Sequence, residues 1–435
     1  MNRNRALLCL AFLCWTWLAW HVRPNVSQTG HDSFLYVSSA QCVFTQVSGC
    51  IHDREPFYPA FLSLFLARFP TIDQAMAWVP LAQNLIFLAS AFFLLACVFP
   101  KKKREERFAL ALAIASVPTF LIPLNGSVYT ESLSASLVML ALGASVRVFG
   151  AKSMRSMVLW AGLVFCCALF LNLTKGAFPV VHCICIVLLL LTAAVARSRR
   201  ISALLLAGST LAATLASGPI LKAYLGNEKL IQRGGAVFYG RTEYARTFPF
   251  RKLTFLYLVN GFSENFCRKA YGQQCDLVFF GAENIYGNAL SFSGLTDEEL
   301  TRRGLQNLRA NPLRQLLFAP LEWSKFVFHH TSTGFAWLDL PLLGPVVHSL
   351  PFLLLLKIAN LLLYGFCGWT LHRRLRPALR QGSATPFLLC LGYIAAYLVP
   401  YGFATTVVRM VYPVAPLLFV FVVWGLAPSP GKKTK

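Results

Sequence analysis

Long apolar segments alternate with short polar connections along most of this chain of 435 residues. Ten of these segments reach or approach the roughly 20 apolar residues that an α-helix needs to cross a bilayer. We therefore predict an all-α polytopic membrane protein with about ten transmembrane helices. The predicted spans cover residues 6–20, 77–99, 108–124, 131–149, 157–173, 177–196, 201–223, 346–368, 385–403 and 408–427.

Two connections are much longer than the others, and both contain helix signals. Residues 21–76 hold HDSFLYVSSAQ and then HDREPFYPAFLSLFLARF, an apolar stretch too short to span comfortably. In residues 224–345, TDEELTRRGLQNLRANP pairs Thr296 with Glu299 in the pattern of a capping box. The amphipathic stretch 313–330 follows. We expect these helices to lie along the membrane surface.

The composition and charge pattern agree with this topology. Charged residues make up 13% of the chain and the mean hydropathy is +0.57, whereas a water-soluble protein carries roughly a quarter charged residues. A net charge of +23 would suggest nucleic-acid binding in a soluble protein, but here the basic residues fall in short clusters between spans. With a cytoplasmic N-terminus every cytoplasmic connection is basic, which places both long loops on the other side of the membrane.

The cysteines divide in the same way. Nine of the 13 lie in apolar segments, where cysteine behaves as a small hydrophobic residue. Cys42, Cys50, Cys267 and Cys275 lie on the non-cytoplasmic side, where disulfides are permitted. The pairs Cys42–Cys50 and Cys267–Cys275 are one interpretation, and four free thiols are the alternative.

Ionisable side chains are scarce inside the predicted spans, which argues against a proton- or ion-coupled transporter. They gather instead at the outer membrane boundary. This distribution suits chemistry on a lipid-linked substrate, because a carboxylate there can act as a general base and a cation can stabilise a departing phosphate. The boundary residues are His31, Asp32, His52, Asp53, Arg54, Glu55, Glu131, Lys175 and Arg409.

The segment HDSFLYVSSAQ followed by REPFYPAFLSLF resembles the first outer loop of GT-C-type glycosyltransferases, integral membrane enzymes that use polyprenyl-phosphate sugars. The resemblance is to the protein-mannosyltransferase and aminoarabinose-transferase kind, and it implies a single GT-C-like domain over residues 1–435. Further segments resemble the family's later motifs in the same order: PTFLIPLNGSVYTESLSASLVMLAL, GLVFCCALFLNLTKGAFPVV, TRRGLQNLRANPLRQL and VVRMVYPVAPLLFVF.

The resemblance implies roles for individual residues. Asp32 matches the catalytic general base of the family, and the alternative is a helix N-cap. Several family members have a second acid after this Asp, where this chain has Ser33, so the resemblance implies no metal ligands and leaves a divalent cation open as a cofactor. The implied substrate-binding residues are Arg54, Glu55, Tyr58, Glu131, Lys175 and Arg409; surface ion pairs and membrane anchors are the alternatives for the charged ones.

The function that follows is transfer of a sugar from a polyprenyl-phosphate donor to an acceptor hydroxyl, with inversion at the anomeric carbon. The expected partners are this donor, the lipid bilayer, and a glycan, glycolipid or protein acceptor, with no nucleic acid. The active site is expected to face the periplasm of a bacterial inner membrane or the lumen of the endoplasmic reticulum. A lipid or glycolipid transporter and a polymerase or ligase of lipid-linked glycans are the alternatives.

Overall fold

The computed structural model describes residues 3–21, 31–42, 55–117, 130–225, 234–276, 295–328, 349–402 and 412–427, with isolated positions between 278 and 288. The regular structure in these ranges is helical. The α-helices are α1 (Arg3–His21), α2 (His31–Cys42), α3 (Phe57–Leu66), α4 (Ile72–Val98), α5 (Arg104–Ser116), α6 (Thr130–Gly150), α7 (Met154–Asn172), α8 (Phe178–Val195), α9 (Arg200–Leu225), α10 (Gly234–Thr247), α11 (Phe250–Phe262), α12 (Glu264–Tyr271), α13 (Asp297–Ala310), α14 (Pro312–Phe328), α15 (Leu350–Arg380), α16 (Thr385–Gly402) and α17 (Ala415–Leu426).

Six of these helices are long and apolar enough to cross a membrane: α4, α6, α7, α8, α9 and α16. The other four predicted spans coincide with α1, α5, α15 and α17. In the described residues α5 has 13 residues and α17 has 12, both shorter than a bilayer requires. The helical membrane character is therefore confirmed, and the count of ten spans stays a prediction.

Helix α6 lies at the centre of the bundle, since sixteen of its 21 residues are buried. Small residues on this helix allow its neighbours to approach closely. At Gly143 an added Cβ would lie 2.7 Å from the ring of Phe93 on α4. Helix α8 is peripheral by contrast, and it exposes large apolar side chains such as Leu191 and Val195. Such exposure is stable only where lipid covers the surface.

The basic connections meet at one end of the bundle. Arg199 donates to the carbonyl of Gly382 over 3.2 Å, Ser202 at the start of α9 donates to Val148 near the end of α6, and the rings of Phe99 and Phe387 lie 6.0 Å apart. We call this end, formed by residues 99–103, 151–153, 196–199 and 381–384, the basic end. The predicted segregation of basic connections is therefore present in the fold.

Helices α10, α11, α12 and α14 form a second core outside the main bundle. Its buried side chains include Tyr244, Leu253, Tyr257 and Phe318. The Cys267–Cys275 disulfide lies inside this core, with both cysteines fully buried. Cys42 is also disulfide-bonded, and its predicted partner Cys50 lies outside the described residues.

The predicted helix in the second long loop is α13, and its start holds two helices together. Thr296 accepts a hydrogen bond from the Glu299 amide over 3.2 Å, as predicted, while the Glu299 carboxylate pairs with Arg303 at 3.2 Å. The Asp297 carboxylate accepts hydrogen bonds from the amides of Gly235 and Ala236 at 3.1 and 3.0 Å. The first turn of α13 therefore caps the N-terminus of α10.

This cap predicts a strict requirement for glycine at position 235. A Cβ there would lie 2.2 Å from the Asp297 carbonyl oxygen, and backbone cannot move aside as a flexible side chain can. We expect Gly235→Ala to destabilise the fold by about 1–3 kcal/mol, the usual range for overpacking, and to lower the melting temperature of the purified protein in detergent. Gly162→Ala is the control, because a Cβ at Gly162 meets nothing within 4 Å. Equal melting temperatures for the two variants would contradict this assignment.

Candidate functional site

The turn between α7 and α8 brings several predicted site residues together at the end of the bundle opposite the basic end. The Lys175 ammonium lies 3.4 Å from the Glu131 carboxylate, and the amide of Gly176 donates to the Glu55 carboxylate over 2.8 Å. The backbone amide of Phe57 donates to the carbonyl of Leu173 over 2.9 Å. We call Glu55, Glu131, Lys175 and the turn 173–177 the polar end site.

Glu131 is the buried member of this site, with a side chain 5% exposed. Its charge is compensated by Lys175, by the Thr130 hydroxyl 3.4 Å away and by its position in the first turn of α6. Helices α16 and α17 pack against α6, and Tyr397 on α16 and Tyr412 just before α17 are buried in the main core. The neighbours of α6 therefore include elements that lie far from it in sequence.

Tyr58 on α3 packs beneath the surface of the protein, next to the Phe57 amide that bonds to the polar end site. It is fully buried, and its hydroxyl donates to the Gln83 side chain of α4 over 2.8 Å. The ring of Tyr36 on α2 packs edge-on against Tyr58, with centroids 5.1 Å apart. Tyr58 therefore fixes α2 and α3 against α4.

Asp32 is the second residue of α2, which begins at His31. The helix therefore starts earlier than the N-cap alternative for Asp32 requires. Tyr36 follows Asp32 by four positions, or about one helical turn, and its contact with Tyr58 attaches α2 to α3 beside the polar end site. Arg54 and Arg409 lie outside the described residues.

Sequence reasoning missed a buried cation near the C-terminus of α16. Arg241 on α10 is fully buried and donates to the Gln315 side chain at 2.5 Å and to the Gly402 carbonyl at 2.8 Å. Its guanidinium also lies 4.6 Å from the centre of the Phe318 ring. Burial lowers the pKa of Arg241 to about 10, so the group stays charged at neutral pH.

A buried ion pair lies next to this cation on α14. Lys325 donates to the Glu322 carboxylate over 2.8 Å, and the Tyr257 hydroxyl donates to the other oxygen over 2.7 Å. Burial raises the pKa of the Glu322 carboxyl, but Lys325, Tyr257 and Arg241 together bring it below its usual value. Lys325 lies in the stretch predicted to be interfacial, yet its side chain is 2% exposed. Opposite charges three residues apart are common on solvated helix faces. The sequence therefore does not indicate that Lys325 is buried.

Helix α16 lies between the main bundle and the buried charged residues of α10 and α14. Trp323 on α14 donates to the Leu398 carbonyl over 2.9 Å, and Arg241 holds the Gly402 carbonyl. The hydroxyls of Tyr397 and Tyr401 lie 3.3 Å apart on the same helix. The second core thus fixes the C-terminal end of α16, a helix that also packs against α6.

Residues 70–271 match the model of a protein family described as a predicted membrane protein (DUF2142). No curated protein and no solved structure matches the chain. The chain is a helical membrane protein. The matched range contains Glu131, Lys175 and Arg241 but neither Asp32 nor Glu322.

The asparagine of one glycosylation sequon also lies in this region. Asn172, in the sequon NLT, is 1% exposed and bonded to His182 at 2.7 Å, so this asparagine is inaccessible to glycosylation in the folded protein. In the part of the chain that the structure describes, no three His, Cys, Asp or Glu side chains gather as metal ligands would.

The Glu322–Lys325 pair predicts a large response to removal of one partner. Glu322→Gln leaves a buried ammonium without its counter-charge, which costs about 3–5 kcal/mol in other proteins. We expect the melting temperature to fall sharply and to recover in part in the double variant Glu322→Gln, Lys325→Gln.

Glu299→Gln is the matched control, because Glu299 pairs with Arg303 at the surface and such pairs contribute about 0.2–1 kcal/mol. The lowered pKa of Glu322 also sets a pH dependence. Its stabilising contribution is complete above the unfolded value of about 4.3 and is lost as the pH falls through the lower folded value. Equal stability losses for Glu322→Gln and Glu299→Gln would contradict a structural role for the buried pair.

Proposed function

We propose that the protein is a GT-C-like glycosyltransferase of about ten transmembrane helices that transfers a sugar from a polyprenyl-phosphate donor to an acceptor hydroxyl. The observation that supports this function best is the convergence of Lys175, Glu131 and Glu55 on one turn, at the end of the bundle opposite the basic end. Helix α2, which carries Asp32, is attached to the same end through Tyr36 and Tyr58. A cation and a candidate base therefore belong to neighbouring elements.

In the proposed reaction the Asp32 carboxylate accepts the proton of the acceptor hydroxyl. The acceptor oxygen then attacks the anomeric carbon from the face opposite the phosphate. The bond between this carbon and the phosphate oxygen breaks, and its electron pair leaves with the polyprenyl phosphate, so the configuration inverts. No oxidant or co-reactant is required besides the sugar donor and the acceptor.

Lys175 is the proposed phosphate-binding residue. An ammonium group carries three N–H donors, and the Lys175 side chain is 19% exposed while that of Glu131 is 5% exposed. Glu131 can therefore hold the ammonium from the protein side while a phosphate approaches from outside. Arg54 and Arg409 are proposed to add charge to the same phosphate.

We propose that the polar end faces the periplasm or the lumen, because the basic end is then cytoplasmic. In this orientation the polyprenyl chain stays in the bilayer and its phosphate sits at the level of Lys175. A divalent cation is not required by this scheme, in which Lys175 provides the charge.

Replacement of the candidate base tests the mechanism directly. In membranes supplied with radiolabelled undecaprenyl-phosphate or dolichyl-phosphate hexose, we expect Asp32→Asn to reduce label transfer to endogenous acceptor by about 10²- to 10⁴-fold, the usual contribution of a general base. Asp73→Asn is the control, because Asp73 is an exposed acid in the first turn of α4 at the same end of the bundle. Full transfer by Asp32→Asn would remove Asp32 as the base, and label that crosses the membrane without transfer would favour the transporter alternative.

Replacement of the cation tests the phosphate site separately. We expect Lys175→Gln to reduce transfer by about 10²- to 10³-fold, as loss of one donor to a developing negative charge does elsewhere. Lys222→Gln is the control, because Lys222 is exposed near the end of α9. Equal activities of the two variants would show that Lys175 serves only to neutralise Glu131.

A further inference from the structure

A crevice lies between α6, α7, α8, α9 and α16, with a volume of about 950 Å³ including its open side. We call it the bundle crevice. It begins at Arg199 and Thr385 at the basic end and reaches inward to His182 and Tyr393. On α8 its lining runs from Thr192 to His182, which is ten residues or about 15 Å along the helix axis.

The surface that lines this crevice is apolar even at its serine and threonine residues. The hydroxyls of Ser145, Thr192 and Thr210 each donate to the carbonyl four residues earlier, at 2.8, 2.8 and 2.9 Å. Their hydrogen bonds are therefore made within their own helices, and methyl and methylene groups are left to face an occupant. His182 bonds to Asn172 at 2.7 Å. Walls of this kind suit a hydrocarbon chain.

The lining of the crevice is mainly apolar and includes Ala141, Leu142, Ala168 and Leu389. Tyr393 and His182 are the polar residues at its inner limit, and both are largely buried. Because burial of apolar surface is favourable, this lining favours an apolar chain.

The mouth of the crevice carries positive charge. Arg199 lines it and donates to the Gly382 carbonyl over 3.2 Å, and a guanidinium has further N–H donors for an anion. Arg197 and Arg200 are exposed on either side of it. A basic mouth on an apolar crevice at the membrane boundary complements a lipid with an anionic headgroup.

We propose that the bundle crevice binds one acyl chain of an anionic phospholipid from the leaflet at the basic end, with the lipid phosphate on Arg199. The chain fills the crevice beside Gly392 on α16, where an added Cβ would lie 3.9 Å from the Leu188 side chain of α8. The bound lipid braces α16 against α8 at the end that the second core does not reach. This site is independent of the proposed sugar transfer, because Lys175 and Glu131 lie at the opposite end of the bundle.

Native mass spectrometry of the full chain in detergent tests the headgroup contact. We expect the wild-type protein to retain one phosphatidylglycerol in preference to phosphatidylcholine. Arg199→Gln should weaken phosphatidylglycerol binding about fivefold, the effect of one basic residue at a membrane surface. Arg309→Gln, which alters an exposed arginine on α13 away from the crevice, should bind as the wild type does.

A second variant tests the chain-binding part. Gly392→Leu places a side chain in the crevice and should abolish retention of phosphatidylglycerol, whereas Gly208→Leu on α9 is the control, because a Cβ at Gly208 meets nothing within 4 Å. Equal binding of the two lipid types, or unchanged binding by both Arg199→Gln and Gly392→Leu, would overturn the proposal. Retention of added undecaprenyl phosphate with no retention of phosphatidylglycerol would overturn it too. The measurement is of binding alone, so it is separate from any outcome of the sugar-transfer assay.

Discussion

A carboxylate buried at the end of a membrane bundle must keep a counter-charge, because an unpaired buried charge costs several kcal/mol. Glu131 lies in the first turn of α6, the central helix, and Lys175 supplies its counter-charge from the turn between α7 and α8. The same turn accepts the backbone amide of Phe57 and donates to Glu55. The ion pair and these two hydrogen bonds thus fix the central helix, the α7–α8 turn and the first long connection relative to one another, and the proposed active site depends on this arrangement.

Helix α16 extends this constraint to the second core. Its carbonyls at Leu398 and Gly402 accept hydrogen bonds from Trp323 and Arg241, while the helix itself packs against α6. An uncapped helix C-terminus leaves carbonyls without partners, and a buried arginine supplies one here. Arg241 is held in turn by Gln315, whose amide donates to the Thr242 carbonyl over 2.8 Å. The position of the second core is therefore coupled to α6 through α16.

The sequence predicted the features that depend on local pattern. The lengths of the apolar segments predicted helices at ten positions, and the structure has a helix at each of them. The placement of the basic residues predicted the basic end, and the spacing of Thr296 and Glu299 predicted the start of α13. Lys175, Glu131 and Glu55 are among the predicted boundary residues: Lys175 lies in the α7–α8 turn, and the two carboxylates bond to that turn. Arg241, Glu322 and Lys325 were missed because burial of a charge depends on which distant helices cover it. In sequence, Glu322 and Lys325 have the same spacing as an exposed pair on any amphipathic helix.

The two lipid-facing features lie at opposite ends of the same helices. Lys175 follows α7 at the polar end, whereas Arg199 precedes α9 at the basic end. A polyprenyl phosphate on Lys175 and a phospholipid on Arg199 would therefore have their phosphates in different leaflets. The inner limit of the crevice is His182, which Asn172 ties to the last turn of α7, directly before the 173–177 turn. Filling the crevice would stiffen the helices that carry Lys175 without placing any group within reach of the transferred sugar, so a bound phospholipid would stabilise the site rather than compete for it.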